Sequence, residues 1–312
     1  MRHSERCAWG PTGPMRRRRA YHPAVPAPAA SAPHDRPIGV FDSGVGGLTV
    51  LHELLVQLPR EDFVYLADTA RFPYGPRPRE ELETFALEVA ELLLRERVKL
   101  LVVACNSATA AALPALQARM MQTTLGVDVV GVVRPGAVHA VAATRNGRVG
   151  ILGTEATVAS GAYLEAMAAV DPHVDVVQVA CPDLADIIEG GFPFDQVVVD
   201  TVRRYTRPLV EAGVDAVVLG CTHYPLVRPM LQRMLGPDVA IIASGAPLAR
   251  QVGHILGARG LATAREREGE YSFRTTGDPQ AFRALGTRFL QMPLGDVRRV
   301  APAPTPSEVT PA

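Results

Sequence analysis

From about residue 37 to about residue 300, short runs of β-branched and aliphatic residues alternate with longer stretches in which apolar residues recur every three or four positions. The runs predict strands at 38–41, 63–66, 100–103, 127–131, 148–152, 174–179, 216–219, 239–242 and 270–274. The stretches between them predict helices, and the clearest, 80–97, sets Leu82, Phe85, Val89, Leu92 and Leu93 on one stripe. Strands alternating with helices in this way are the mark of βαβ units and a mainly parallel sheet, so the expected fold class is α/β. Runs without an interrupting polar residue, such as 100–103, predict strands covered on both faces.

Two of these units resemble each other. LLVVACNSAT, ending at Thr109, and AVVLGCTHYP, ending at Pro225, each read as apolar strand, small residue, cysteine, polar turn, helix. The echo predicts two similar α/β lobes. Ligands of open parallel sheets bind beyond the carboxyl ends of the strands, which puts Cys105 and Cys221 at ligand-binding edges. If the lobes face each other, one cleft receives both thiols.

Composition narrows the class. With 312 residues, 47% hydrophobic and 21% charged, the chain can bury one large core or two moderate ones. Its 32 basic and 32 acidic residues balance, which gives no general electrostatic reason to bind nucleic acid or an anionic membrane. No apolar run is long enough to span a bilayer, and the arginines at 16–19 are followed by Pro and Ala rather than the apolar core of a signal peptide. A cytoplasmic protein is expected. Four cysteines are too sparse for a disulfide scaffold, and no CxxC or CxxH spacing points to a metal site, so free thiols and no metal are expected. The flanks 1–36 and 301–312 are Pro-rich, lack apolar periodicity and are expected to be disordered.

A stereocentre can be inverted by removing its proton on one face and delivering another on the opposite face, which takes two acid/base groups. Thiols suit the task because their ordinary pKa of about 8.5 lies near working pH. Candidate groups to tune them are Asp42 at the end of the first strand, Glu189 before a Gly-Gly pair, and His223 two residues after Cys221. Each has a plainer alternative: a turn or cap for Asp42, an exposed helix end for Glu189, a packed loop histidine for His223. The segment 42–47, DSGVGG, follows a strand and opens a helix, so its N–H groups are candidates to hold an anion. It lacks the Lys-Ser/Thr pair of a nucleotide loop; a substrate carboxylate would use the same donors. Ser107, Thr109, Thr154, Thr157 and Thr222 all fall at strand-to-helix turns, where they either cap helices or bind a zwitterion. The run 72–76, FPYGP, reads as a loop.

IGVFDSGVGGLTV, YLADTARFPYGPRP, VVACNSATA, GVVRPGA, VGILGTEATV, CPDLADIIEGG and LGCTHYPL occur in an order that closely resembles the glutamate racemases, the cofactor-independent members of the aspartate/glutamate racemase family. The likeness spans 38–289. It implies two pseudosymmetric lobes with the active site between them, the first made of 37–130 plus 244–300 and the second of 131–243. It implies interconversion of L- and D-glutamate without cofactor, supplying D-glutamate for peptidoglycan, in a homodimer. Cys105 beside Asp42 would serve the D-glutamate face, and Cys221 with His223 and Glu189 the L-glutamate face. Substrate binding would fall to Asp42, Ser43, Pro73, Tyr74, Gly75, Asn106, Ser107, Thr109, Thr154, Thr157, Thr222 and His223. Two other readings are aspartate racemisation, which the His-Tyr-Pro after Thr222 disfavours, and a non-catalytic binding protein such as a gyrase-modulating partner, which intact Cys105 and Cys221 disfavour.

Overall fold

The computed structural model describes residues 32–122, 126–191 and 195–301. Cys7 and nearly all of the two flanks expected to be disordered lie outside these residues. The exception is the end of the first flank. Pro33–Asp35 forms one 3₁₀ turn, tied down by Lys99 Nζ, which donates to the carbonyl of His34 at 2.7 Å, and by Arg265 on Asp35 at 3.3 Å. Short-range periodicity could not predict order imposed by such distant partners.

In chain order the elements are β1 (Ile38–Asp42), α1 (Leu48–Gln57), β2 (Phe63–Ala67), α2 (Arg79–Arg95), β3 (Leu100–Val103), α3 (Asn106–Met121), β4 (Asp128–Gly131), α4 (Val133–Ala143), β5 (Arg148–Gly153), α5 (Glu155–Ala159), α6 (Ala162–Ala168) and β6 (Asp175–Ala180). There follow α7 (Leu184–Glu189), α8 (Gln196–Glu211), β7 (Ala216–Gly220), α9 (Arg228–Leu235), β8 (Ala240–Ala243), α10 (Gly245–Arg259), β9 (Tyr271–Thr275), α11 (Pro279–Leu290) and β10 (Val297–Arg299). Two sheets result, ordered β10-β9-β2-β1-β3-β4 and β6-β5-β7-β8, and every pairing in both is parallel. The nine predicted strands are all present. The tenth, β10, is a three-residue Val-Arg-Arg segment whose pairing with β9 no apolar run announces.

The uninterrupted strands are covered on both faces by a simple alternation. Ile38, Val40, Leu100 and Val102 point into one core cluster, while Phe41, Leu101 and Val103 point into a second on the opposite face of the same sheet. Strand β7 alternates likewise, with Val217 and Leu219 in the first cluster and Ala216 and Val218 in a third. The first cluster is therefore shared by the two sheets. Each fully buried Val, Leu or Ile contributes roughly 1.5–3 kcal/mol, so the shared core couples the sheets strongly. Helix α8 shows how local sequence suffices for an outer element: Val198, Val202, Tyr205 and Leu209 recur at helical spacing and are buried, and Asp195 caps the N-terminus by accepting from the Val198 N–H at 2.9 Å.

The chain leaves the first sheet after β4, builds the second from β5 to β8, and returns through α10, which packs on α1. Every strand in each sheet therefore points its carboxyl end the same way. Asp42 pairs with Ala67 at one such edge and Gly153 with Gly220 at the other.

Candidate active site

The ends of β1, β3, β5 and β7 supply the centre of the site, and the segments after β2 and β6 complete its wall. After β1, Asp42 is fully buried, and its Oδ2 accepts from the Gly44 N–H at 3.0 Å; the Tyr65 hydroxyl donates to the Gly44 carbonyl at 2.8 Å from beneath. A Cβ on Gly46 would lie 2.3 Å from Thr222 Oγ1 and 2.5 Å from the His223 ring, and one on Gly47 would lie 2.4 Å from Asp42 Cβ. The glycines therefore let the turn after β1 pack directly against the turn after β7. The expectation that this turn offers its N–H groups to an anion is corrected at Gly44 and Gly47, whose donors serve the carboxylate of Asp42.

After β3, Cys105 is the N-cap of α3; its Sγ accepts from the Ala108 N–H at 3.5 Å and lies 3.8 Å from Ser43 Oγ, to which it donates. Burial and the neighbouring Asp42 carboxylate push this thiol up to about 12. Asp42 itself is raised by burial, against the opposing effects of His223 and the turn N–H groups.

After β7, Cys221 Sγ lies 3.6 Å from His223 Nδ1, and His223 Nε2 lies 2.8 Å from Glu189 Oε1 on α7. Burial disfavours an imidazolium here, but the hydrogen bonds to Cys221 and Glu189 outweigh it and raise His223 to about 10. The imidazole is further held between the rings of Phe72 and Phe289, with centroids at 5.7 and 5.3 Å. Thr222 Oγ1 donates to Asp42 Oδ1 at 3.3 Å, so the turn bearing Cys221 is also tied to the turn after β1 by a hydrogen bond.

After β5, Thr154 caps α5 through the Thr157 N–H at 3.2 Å and meets Ser107 Oγ at 2.8 Å across the opening. The Ala156 N–H donates to the Gly75 carbonyl at 2.9 Å, a second link across it. The loop carrying Gly75 follows a cis Phe72–Pro73 bond and is anchored by the Tyr74 hydroxyl, which donates to the buried carboxylate of Asp68.

Cys105 and Cys221 line the same cavity, of about 190 Å³, together with Ser43, Pro73, Tyr74, Gly75, Asn106, Ser107, Thr154, Thr222 and His223. Asp42 and Glu189 stand behind this wall, in contact with Thr222 and His223. Two of the expected substrate-binding hydroxyls are directed elsewhere. Thr109 Oγ1 donates to the carbonyls of Val103 and Cys105 at 3.2 and 2.8 Å, and Thr157 Oγ1 accepts from Thr154 Oγ1 at 2.9 Å; neither lines the cavity. Their plainer reading as helix-start hydroxyls describes them better. Conversely, Phe72, Pro76, Glu155, Pro182, Ala185 and Asp186 line it without having been singled out for a site role. Asp186 had a legible signal, one helical turn before Glu189 in the same motif. Among the described residues the cavity wall carries no Lys or Arg, so an anionic ligand would be held by hydroxyls, amides and His223. Among the described residues no cluster of three or more His, Cys, Asp or Glu is placed to hold a metal ion. Cys105, Cys181 and Cys221 are free and buried, and no described helix is long and apolar enough to cross a membrane.

Residues 40–252 match the model of the Asp/Glu/hydantoin racemase family. A glutamate racemase of Geobacter metallireducens is 46% identical over 264 residues, covering 85% of this chain and 96% of that protein. Among solved structures, the glutamate racemase isoform RacE1 of Bacillus anthracis superposes with a TM-score of 0.80 at 38% identity, covering 85% of this chain and 97% of that one. The glutamate racemase of Francisella tularensis, solved in complex with D-glutamate, gives 0.79 at 31% identity, covering 86% and 98%. With the same two-lobe fold and this extent of identity, the chain belongs to the Asp/Glu/hydantoin racemase family, among its glutamate racemases.

Proposed function

We propose that the chain interconverts L- and D-glutamate by two-base proton transfer at Cα, with Cys105 and Cys221 as the opposed acid/base pair. The observation that carries this reading is that both thiols line one cavity while coming from corresponding strand ends of two different sheets. The complex of the Francisella tularensis relative with D-glutamate supports the choice of substrate.

With L-glutamate bound, Cys221 as thiolate removes the Cα proton; the C–H electron pair stays on carbon, and the Cys105 thiol delivers its proton to the opposite face. The reverse direction starts from the opposite protonation of the pair. Burial and the neighbouring Asp42 favour the thiol form of Cys105, the form that donates in the L-to-D direction. Asp42 is the nearby carboxylate that can exchange that proton, and His223, held by Glu189, is the corresponding group for Cys221. The Cα proton is weakly acidic, so the carbanion must be stabilised by donors to the substrate carboxylate and by exclusion of water. Ser43, Asn106, Ser107, Thr154 and Thr222 supply polar groups in the wall, and Pro73, Tyr74 and Gly75 supply its loop side. The two lobes would comprise 37–130 with 244–300, and 131–243. The resemblance extends the proposal to a cytoplasmic homodimer that supplies D-glutamate for peptidoglycan.

The test is turnover of L-glutamate in D2O without added cofactor, followed by circular dichroism and proton NMR. Early D-glutamate should carry deuterium at Cα while recovered L-glutamate does not; equal early labelling of both pools would argue against two opposed bases. Aspartate run in parallel should turn over far more slowly, and comparable turnover would reassign the substrate.

A further inference from the structure

Asn106 follows Cys105 directly, lines the cavity and is only 3% exposed, yet its carboxamide is not held by its own helix. Its Oδ1 accepts at 2.8 Å from the hydroxyl of Tyr163, a fully buried residue on α6. That hydroxyl also lies 3.3 Å from Ser244 Oγ, at the start of α10. A tyrosine hydroxyl has one proton to give, and an amide oxygen can only accept. Tyr163 therefore donates to Asn106, and Ser244 donates to Tyr163. Among the described residues Nδ2 of Asn106 meets no protein acceptor, which leaves its two N–H bonds for the cavity.

We propose that Tyr163, backed by Ser244, is a positioning residue for the reaction: it fixes the Asn106 carboxamide so that Nδ2 faces the substrate carboxylate. The inference rests on the glutamate-racemising reading above. A second feature is built around the same hydroxyls. Gly136 lies inside α4, where glycine costs about 1 kcal/mol relative to alanine. A Cβ there would lie 3.0 Å from Ser244 Oγ and 3.4 Å from Tyr163 Oη, so the glycine of the GVVRPGA motif makes room for the pair. The three hydrogen-bonded residues come from three places in the chain: α3 beside the first sheet, α6 beside the second, and the return between β8 and α10. A shift of one sheet against the other would break the chain of bonds and free the amide to turn, so the amide donor is presented only while the lobes are in register.

Tyr163→Phe removes one oxygen and keeps the ring, and is expected to lower kcat/KM for glutamate about tenfold, less than the roughly 10²–10³-fold for outright loss of one oriented donor because the amide remains but is no longer held. Asn106→Ala should lower it at least as much. The decisive measurement is the double variant, which should be no worse than Asn106→Ala alone, because Tyr163 acts through that amide. Multiplying losses would overturn the proposal, as would wild-type kinetics in Tyr163→Phe. Ser244→Ala should show a smaller loss of the same kind, also absent in the Asn106→Ala background. Melting curves for all variants identify a merely structural effect, which would lower stability without this non-additivity. Failure of the underlying reading looks different: wild-type protein would not racemise glutamate, or Cys105→Ser would retain turnover. In that case the side-chain amide resonances of Asn106 still decide the positioning claim, since they should shift in Tyr163→Phe and an unchanged pair of signals would overturn it.

Discussion

His223 concentrates the electrostatics of the site into one side chain. It is 2% exposed, with Cys221 on Nδ1 and Glu189 on Nε2, and its pKa of about 10 lies above the ordinary histidine value of about 6.5. Folding therefore takes up a proton at this residue near neutrality. The stabilisation is complete below about pH 6.5, shrinks as pH rises and is gone above about 10. Cys105, raised to about 12 from the ordinary thiol range, acts with the same sign further up: the folded state keeps the thiol protonated, and that contribution is lost as pH rises from that range through about 12. Glu189→Gln replaces a charged acceptor by a neutral one and is expected to destabilise the protein by about 1–3 kcal/mol at pH 6. Urea unfolding at pH 6 and pH 10 checks it, and a difference from wild type that does not shrink at the higher pH would show that the charge on His223 is not what Glu189 stabilises. For catalysis, Cys105→Ser and Cys221→Ser are each expected to lower turnover by about 10²–10⁴-fold, the scale of general acid/base contributions. Turnover near wild type in either variant would remove that thiol from the mechanism.

At the scale of elements, the turn between β1 and α1 shows how backbone choice serves the site. Gly46 is needed for contact rather than for an unusual φ: a methyl group there would overlap Thr222 Oγ1 and the His223 ring. Gly46→Ala is expected to cost about 1–3 kcal/mol as overpacking and to displace the Cys221 turn, with a fall in kcat. Gly257→Ala, in α10 with nothing within 4 Å of the added carbon, is the control and should stabilise the protein by up to about 1 kcal/mol. Equal melting temperatures for the two variants would refute the contact argument. The strands were legible in the sequence because a run buried on both faces is apolar at every position, as at Leu100–Val103. Strand β10 was not, because its place is set by backbone pairing with β9. Cys105, Thr154, Cys221 and Thr222 were legible as site candidates because each falls in the turn after an apolar run, and Asn106 entered through the family resemblance. Tyr163 was hidden by the opposite circumstance: it lies on a helix, where packing alone decides what each side chain meets, and Asp186 was legible only through its place one turn before Glu189. The hydroxyls of Thr109 and Thr157 misled because a helix-start hydroxyl and a ligand-binding hydroxyl occupy the same sequence position.

For the whole molecule, the two lobes are joined differently at the back and at the front of the cleft. Behind it they share a continuous apolar cluster, and Thr49 Oγ1 on α1 donates to the carbonyl of Thr222 at 2.9 Å. In front, polar links cross between them: Ser107 Oγ with Thr154 Oγ1 at 2.8 Å, the Ala156 N–H on the Gly75 carbonyl at 2.9 Å, and the Tyr163 hydroxyl on Asn106 Oδ1 at 2.8 Å. Breaking a front link should therefore open the cleft without unfolding the lobes, since the apolar cluster behind remains intact. Ser107→Ala is expected to leave the unfolding free energy within about 1 kcal/mol of wild type, the usual worth of one hydrogen bond, while raising the KM for glutamate several-fold. The KM alone would not separate a latch from a ligand, because Ser107 also lines the cavity. Amide hydrogen exchange in the absence of glutamate does separate them. If the hydroxyl is a latch, the Ala156 N–H loses its protection in Ser107→Ala even without substrate, because its acceptor on the opposite lobe moves away. If the hydroxyl only binds substrate, exchange at Ala156 stays as in wild type and changes only when glutamate is added, and the front of the cleft is then held without the Ser107 hydroxyl.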